Sequence, residues 1–222
     1  MSRRLIRLKK QDNLLNDENI DFVDQIYYIN LAHRHDRKNQ IESQINKLNL
    51  PSEKITRIEA IKHQRGEIGC GLSHIKALKE AKDNNYDNII ILEDDFEITT
   101  NTSLFKKKLN YFYNKYMDYN ICLLAGNIHR AKKMDYTIYE ALDVQTTSGY
   151  IINKRFFITL IENLETATEK LLKGERKETA AIDVWWKKLQ GENKKFYLFI
   201  PKLGKQRAGY SDIENRNTNY GV

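Results

Sequence analysis

With 222 residues, 30% of them charged and a net charge of +7, the chain suits one domain facing anionic partners such as phosphates, nucleotides or a membrane surface. Its two cysteines, Cys70 and Cys122, exclude a disulfide framework and a cysteine-based zinc cluster. No apolar run is long enough to span a bilayer, and the basic start of the chain, Met1 to Lys10, is not followed by the apolar core of a secretory signal.

Residues 1–20 are polar and basic and read as a flexible arm that could rest on an anionic membrane. Gln25 to Leu31 predicts a first strand. Ile41, Ile45 and Leu48 recur at helical spacing within Arg37–Asn49, and Pro51 closes that helix. Lys54–Ala60 suits a second strand. The glycines of Gly66–Gly71 are expected to form a loop leading into a helix with Leu72, Ile75 and Leu78 inward. Four apolar residues, Ile89 to Leu92, then predict a strand buried on both faces, as in a parallel sheet. Phe105, Leu109, Phe112 and Tyr116 mark another helix, and Asn120–Leu124 a further strand. Turns or short strands are expected over 132–150, helices over Phe156–Lys170 and Ala180–Gln190, and a strand over Lys195–Ile200. Alternating strands and helices predict a single α/β domain over 21–213, with 214–222 as a C-terminal tail.

Four segments carry chemistry. Arg34 and Arg37 follow the first strand, where basic side chains and helix-start amides could hold a diphosphate. Gly66-Glu67-Ile68-Gly69-Cys70-Gly71-Leu72-Ser73-His74 permits close backbone approach, but its spacing is neither a Walker loop nor a dinucleotide fingerprint. Ser73 and His74 could cap the helix or orient groups near a metal. Glu93-Asp94-Asp95 falls at the carboxyl end of a strand, where open α/β sheets bind ligands. Adjacent carboxylates repel, and a hard divalent cation would offset that cost. If the backbone stays extended, Glu93 and Asp95 share one side and one cation, with Asp94 opposite. Finally, Asp183 precedes Trp185 and Trp186; partial desolvation there would raise its pKa and make it a better base.

Together, INL-x-x-R-x-x-R, GEIGC-x-LSH, the strand ending LEDD, Thr147-Ser148-Gly149-Tyr150 and Asp183 resemble glycosyltransferase family 25, which includes lipooligosaccharide and procollagen galactosyltransferases. The resemblance implies a GT-A-like, Rossmann-related domain with a mixed, mostly parallel central sheet flanked by helices. It implies metal-dependent, inverting transfer of galactose or glucose from a UDP-hexose to a glycan, a lipid-linked acceptor or a hydroxylated protein, as in lipopolysaccharide biosynthesis. In that reading Glu93 and Asp95 form a DxD-like motif holding Mn²⁺ or Mg²⁺, and Asp183 is the base. Asn30, Leu31, Arg37, Gly69, Ser73, His74, Asp94 and Ser148 line the nucleotide-sugar site. Gln206 and Ser211-Asp212-Ile213 resemble a closing segment. A cytoplasmic protein without nucleic-acid partners is expected. The residues alone also allow a metal-dependent phosphoesterase or nuclease, or a glycan-binding homologue without turnover.

Overall fold

In a computed structural model of the chain, residues 19–213 and 216–219 are described. The chain opens on β1 (Gln25–Asn30), buried throughout, and α1 (His35–Asn46), which turns Ile41 and Ile45 inward. β2 (Ile55–Glu59) follows, then α2 (Gly66–Asp83) and β3 (Asn88–Glu93). Asn85 takes a left-handed φ of 56° in the turn between α2 and β3, a conformation Asn tolerates. After β3 come the short β4 (Phe96–Ile98) and α3 (Thr102–Lys115), the latter capped by Asn101, whose side chain accepts from Leu104 N.

The segment 132–150 is more regular than its sequence suggests. After β5 (Ile121–Leu123), β6 (Asn127–Lys133) and β7 (Ile138–Gln145) form an antiparallel hairpin that leads into β8 (Gly149–Asn153). α4 (Phe157–Leu172) is the predicted long helix. The helix expected over Ala180–Gln190 is instead broken into single turns, α5 (Lys177–Ala180), α6 (Ile182–Trp185) and a 3₁₀ turn, before β9 (Phe196–Phe199). β10 (Gly204–Gln206) pairs with β4. β11 (Gly209–Ser211) pairs with β12 (Arg216–Thr218), so part of the expected tail is a strand.

Eight strands form one sheet in the order β2-β1-β3-β8-β5-β9-β7-β6. Only β8 and β7 run against the other six, so the sheet is mixed and mostly parallel, as expected. The two-residue period of a strand divides the core between its faces. Tyr27, Ile29, Ile89, Ile91, Tyr150 and Ile152 pack under α2 and α4, with Trp186 fully enclosed. Ile26, Tyr28, Ile90, Leu92 and Ile151 pack under α1 and α3 on the other face. Three layers result. Ile20, assigned to the arm by its sequence, is buried in the second of these cores and Asn19 beside it accepts from Asn110, while residues 1–18 of the expected arm lie outside the described residues. No helix among the described residues is long and apolar enough to cross a membrane.

Chain order reverses at β1: β2 lies on one side of it and β3 on the other. Such a switch point leaves a crevice at the carboxyl ends of the strands. Leu31, the loop 60–64 and Glu93-Asp94-Asp95 all emerge there.

Candidate active site

Two clefts open at this crevice. The larger, about 380 Å³, is lined by Leu31, His33 and Arg37 after β1, by Ala60 to Gln64 after β2, and by Glu93, Asp94 and Asp95 after β3. The smaller, about 260 Å³, is lined by Gln145 to Ser148 before β8 and by Ile182, Asp183 and Val184. Cys70, Glu93, Gln206 and Ile213 border both, so the clefts meet at the end of β3.

The acidic run does not remain extended. β3 ends at Glu93 and the chain turns at Asp94 and Asp95, which changes the predicted pairing of side chains. Arg37 Nη1 bridges Asp94 Oδ1 at 2.9 Å and Asp95 Oδ2 at 3.1 Å. Glu93 faces elsewhere: it accepts from Thr147 Oγ1 at 2.8 Å and lies 3.2 Å from His74 Nε2. The pair that shares a cationic group in this structure is therefore Asp94 with Asp95, and that group is a guanidinium.

These contacts set the electrostatics. Burial, reinforced by the neighbouring Glu93 charge, raises the Asp95 carboxyl from 3.8 to about 7, despite Arg37 and the amide of Gln206 at 3.0 Å. Burial also raises Asp94, against the pull of Arg37 and Asn30. For Glu93 the hydrogen bonds from His74 and Thr147 outweigh burial, and its carboxyl is lowered. Burial opposes the charge on Arg37, but Asp95 and Asp94 more than restore it. One buried oxygen, Asp95 Oδ1, has no hydrogen-bond partner among the described residues. A buried acceptor of that kind is costly unless a ligand or ion satisfies it.

The predicted residues divide into those that face the clefts and those that support them. Leu31, Arg37, Gly69, Ser73, His74, Asp94 and Asp95 line the larger cleft, and Ser148 and Asp183 the smaller. Asn30 faces neither. It is buried beneath the acidic turn, donates to Asp94 Oδ2 at 2.8 Å and accepts from Arg57 at 3.1 Å, so it positions Asp94. Arg34 does not line the clefts either, because Asp36 and Asp212 hold it at the root of β11. The glycines are not a loop, since α2 begins at Gly66. A Cβ on Gly69 would lie 2.4 Å from the Ile61 carbonyl, and one on Gly71 would lie 2.5 Å from Thr168 Oγ1. They are small so that loop 60–64 and α4 can close on α2. Ser73 is likewise no cap. It sits in mid-helix, donates to Gly69 O and accepts from Ile61 N at 2.8 Å, which ties the same loop down.

Asp183 is half-buried in the smaller cleft. Burial raises its carboxyl, with a hydrogen bond from Gln145 opposing and the Glu93 charge adding to the shift. Thr146, beside it, holds a φ of 103°, rare for a β-branched residue, and this turn delivers Thr147 to Glu93. Sequence reasoning overlooked Gln145, His33 and the loop 60–64. The loop could have been found from its place after a strand of the parallel half-sheet; Gln145 gave no such signal.

The sequence profile of glycosyltransferase family 25 (LPS biosynthesis protein) matches residues 59–176. That span holds the segments from Gly66 to Asp95 and from Thr147 to Tyr150, but neither Asn30–Arg37 nor Asp183. No curated protein matches the chain in sequence. Solved structures with a similar course of the chain include a glycosyltransferase involved in glycosylation of the major capsid of PBCV-1, at 8% identity and TM-score 0.49, covering 86% of this chain and 95% of that one. Another is the mannose-1-phosphate geranyltransferase of Thermus thermophilus, at 9% identity and TM-score 0.48, covering 83% and 74%. A UDP-glucose pyrophosphorylase complexed with UDP-glucose aligns at 12% identity and TM-score 0.45, covering 79% and 72%. The layered α/β domain has the mixed sheet expected of a GT-A-like enzyme, and the profile covers more than half of the 222 residues: the chain belongs to glycosyltransferase family 25.

Proposed function

We propose that the protein transfers a hexose, galactose or glucose, from a UDP-sugar to a hydroxyl of a glycan, lipid-linked or hydroxylated protein acceptor, with inversion and with Mn²⁺ or Mg²⁺. The observation that carries this reading is Asp95, which lines a cleft at the strand switch point and whose buried Oδ1 has no hydrogen-bond partner among the described residues. Glu93, Asp94 and Asp95 are hard oxygen donors suited to such a cation; Asp95 would hold it, joined by Glu93 once that carboxylate turns from Thr147 and His74 toward the cation. When bound, it supplies positive charge against the diphosphate leaving group.

The chain's own residues do the rest. Arg37, at the mouth of helix α1, offers a second positive charge to the diphosphate. Asn30 keeps Asp94 in place, and Gln206 keeps Asp95 in place. The smaller cleft suits the acceptor, and Asp183 takes the proton of its attacking hydroxyl; its raised carboxyl brings it nearer the pH at which a base works best. Because the clefts meet at Glu93, the acceptor oxygen and the sugar carbon would approach each other there. Calorimetry with UDP, with and without Mn²⁺, followed by a nucleotide-sugar hydrolysis panel, tests the reading. Tight UDP binding should need the metal in the native chain and be lost in Asp95→Asn, with or without metal. Equal UDP affinity with and without Mn²⁺ in the native chain would refute it.

A further inference from the structure

Helix α2 carries Cys70 and His74 four residues apart, so both project from one face toward the end of β3. There Glu93 leaves the sheet. One ligand atom from each of Cys70, His74 and Glu93 lies within 4.8 Å of the other two. Sulfur, imidazole nitrogen and a single carboxylate around one point form the donor set of a zinc-class cation with one position left open.

Three further observations favour such a site. His74 is fully buried with Nε2 turned toward Glu93, while Nδ1 lies 3.0 Å from the Tyr150 hydroxyl. A partner on the far ring nitrogen is what orients a histidine ligand toward a metal. Cys70 and Glu93 border both clefts, which provides an entry path. The cluster shares only Glu93 with the oxygen site and differs from it in donor type: Asp95 is held by Arg37 and Gln206, and a hard cation does not select a thiol.

We propose that Cys70, His74 and Glu93 form a binding site for a thiophilic, zinc-class divalent cation at the junction of the two clefts. On binding, the Cys70 S–H bond breaks, a sulfur–metal bond forms and the proton leaves to the buffer. His74 shifts its ring proton from Nε2, where it faces Glu93, to Nδ1 facing the Tyr150 hydroxyl, and so offers the Nε2 lone pair. Glu93 contributes a carboxylate oxygen. Occupancy removes Glu93 from the oxygen site beside Asp95, so a zinc-class cation opposes Mn²⁺. That antagonism rests on the reading under Proposed function; the site itself does not.

Cadmium titrated into the full, reduced chain reports the site through its thiolate charge-transfer absorbance. One equivalent should saturate the signal, Zn²⁺ should displace it, Cys122→Ala should keep it and Cys70→Ser should abolish it. Tyr150→Phe, checked for folding by circular dichroism, should weaken cadmium binding by about 10–100-fold. No absorbance with the folded native chain, or absorbance that survives Cys70→Ser, overturns the proposal. Mn²⁺ binding followed by electron paramagnetic resonance separates the two readings. Loss of bound Mn²⁺ on adding Zn²⁺ supports the shared Glu93, and Mn²⁺ retained beside saturating Zn²⁺ refutes it. A chain that binds no Mn²⁺ at all refutes the Mn²⁺ reading instead, and the cadmium result alone then decides this site.

Discussion

Replacing Asp95 by Asn should stabilise the folded chain while destroying its activity. The side chain is buried, and its carboxyl is raised from 3.8 to about 7. Each tenfold change in proton affinity corresponds to about 1.4 kcal/mol, so ionising Asp95 above pH 7 costs the fold on the order of 4 kcal/mol at most. Both the burial cost and the repulsion with Glu93 vanish with the charge, so about 2–4 kcal/mol is there for the substitution to recover. The sign follows from proton linkage: the folded state holds this proton more tightly than the unfolded state. The native chain therefore loses stability as pH rises from about 4 to about 7 and changes little from this group beyond. Asparagine does not titrate, and Asp94 still pairs Arg37. Urea unfolding without added metal, at pH 4 and at pH 8, should show Asp95→Asn gaining on the native chain by about 2–4 kcal/mol between the two. Mn²⁺ should raise the Tm of the native chain and leave that of the variant unchanged. UDP-sugar turnover should fall by roughly 10²-fold or more, for a loss of about 3 kcal/mol or more of charge stabilisation. A variant that loses stability relative to the native chain between pH 4 and pH 8 refutes this electrostatic reasoning.

Asp183→Asn should lower turnover by about 10²–10⁴-fold and leave UDP affinity unchanged, measured by single-turnover kinetics beside calorimetry; weakened UDP binding would move Asp183 out of the role of base. Arg37→Gln strands two buried carboxylates, so it should cost about 3–5 kcal/mol at pH 8 and less at pH 4, where the raised acids take up protons. Denaturant unfolding at both values checks this, and the double variant with Asp95→Asn should recover part of the loss. Gly204→Ala would set a Cβ 2.1 Å from the ring of Phe96, which is fully enclosed. A drop of about 1–3 kcal/mol is expected in thermal unfolding. Turnover should fall with it, because the β4–β10 ribbon also carries Gln206 to Asp95.

The elements of the first half were legible because local patterns encode them. Ile89 to Leu92 had to be buried on both faces, and the Phe105–Phe112 stripe had to be a helix, whatever surrounded them. The acids after Leu92 were legible for the same reason, since a strand's end points to a ligand site in any open α/β sheet. Their partners were not. Arg37, Gln206 and His74 reach Asp94, Asp95 and Glu93 across 57, 111 and 19 residues, and no local pattern records such distances. Glycines 66, 69 and 71 read as a loop because local chemistry favours one; contacts with Ile213, Ile61 and Thr168 made them helical packing sites instead. Helical spacing near Asp183 promised one long helix, yet tertiary contacts broke it into turns and left the carboxylate facing the smaller cleft. Period and composition thus determined which segments are strands or helices and where charge gathers. Which carboxylate lost its water, and which cation it met, followed only from the packing of distant segments, because burial belongs to the folded surface as a whole.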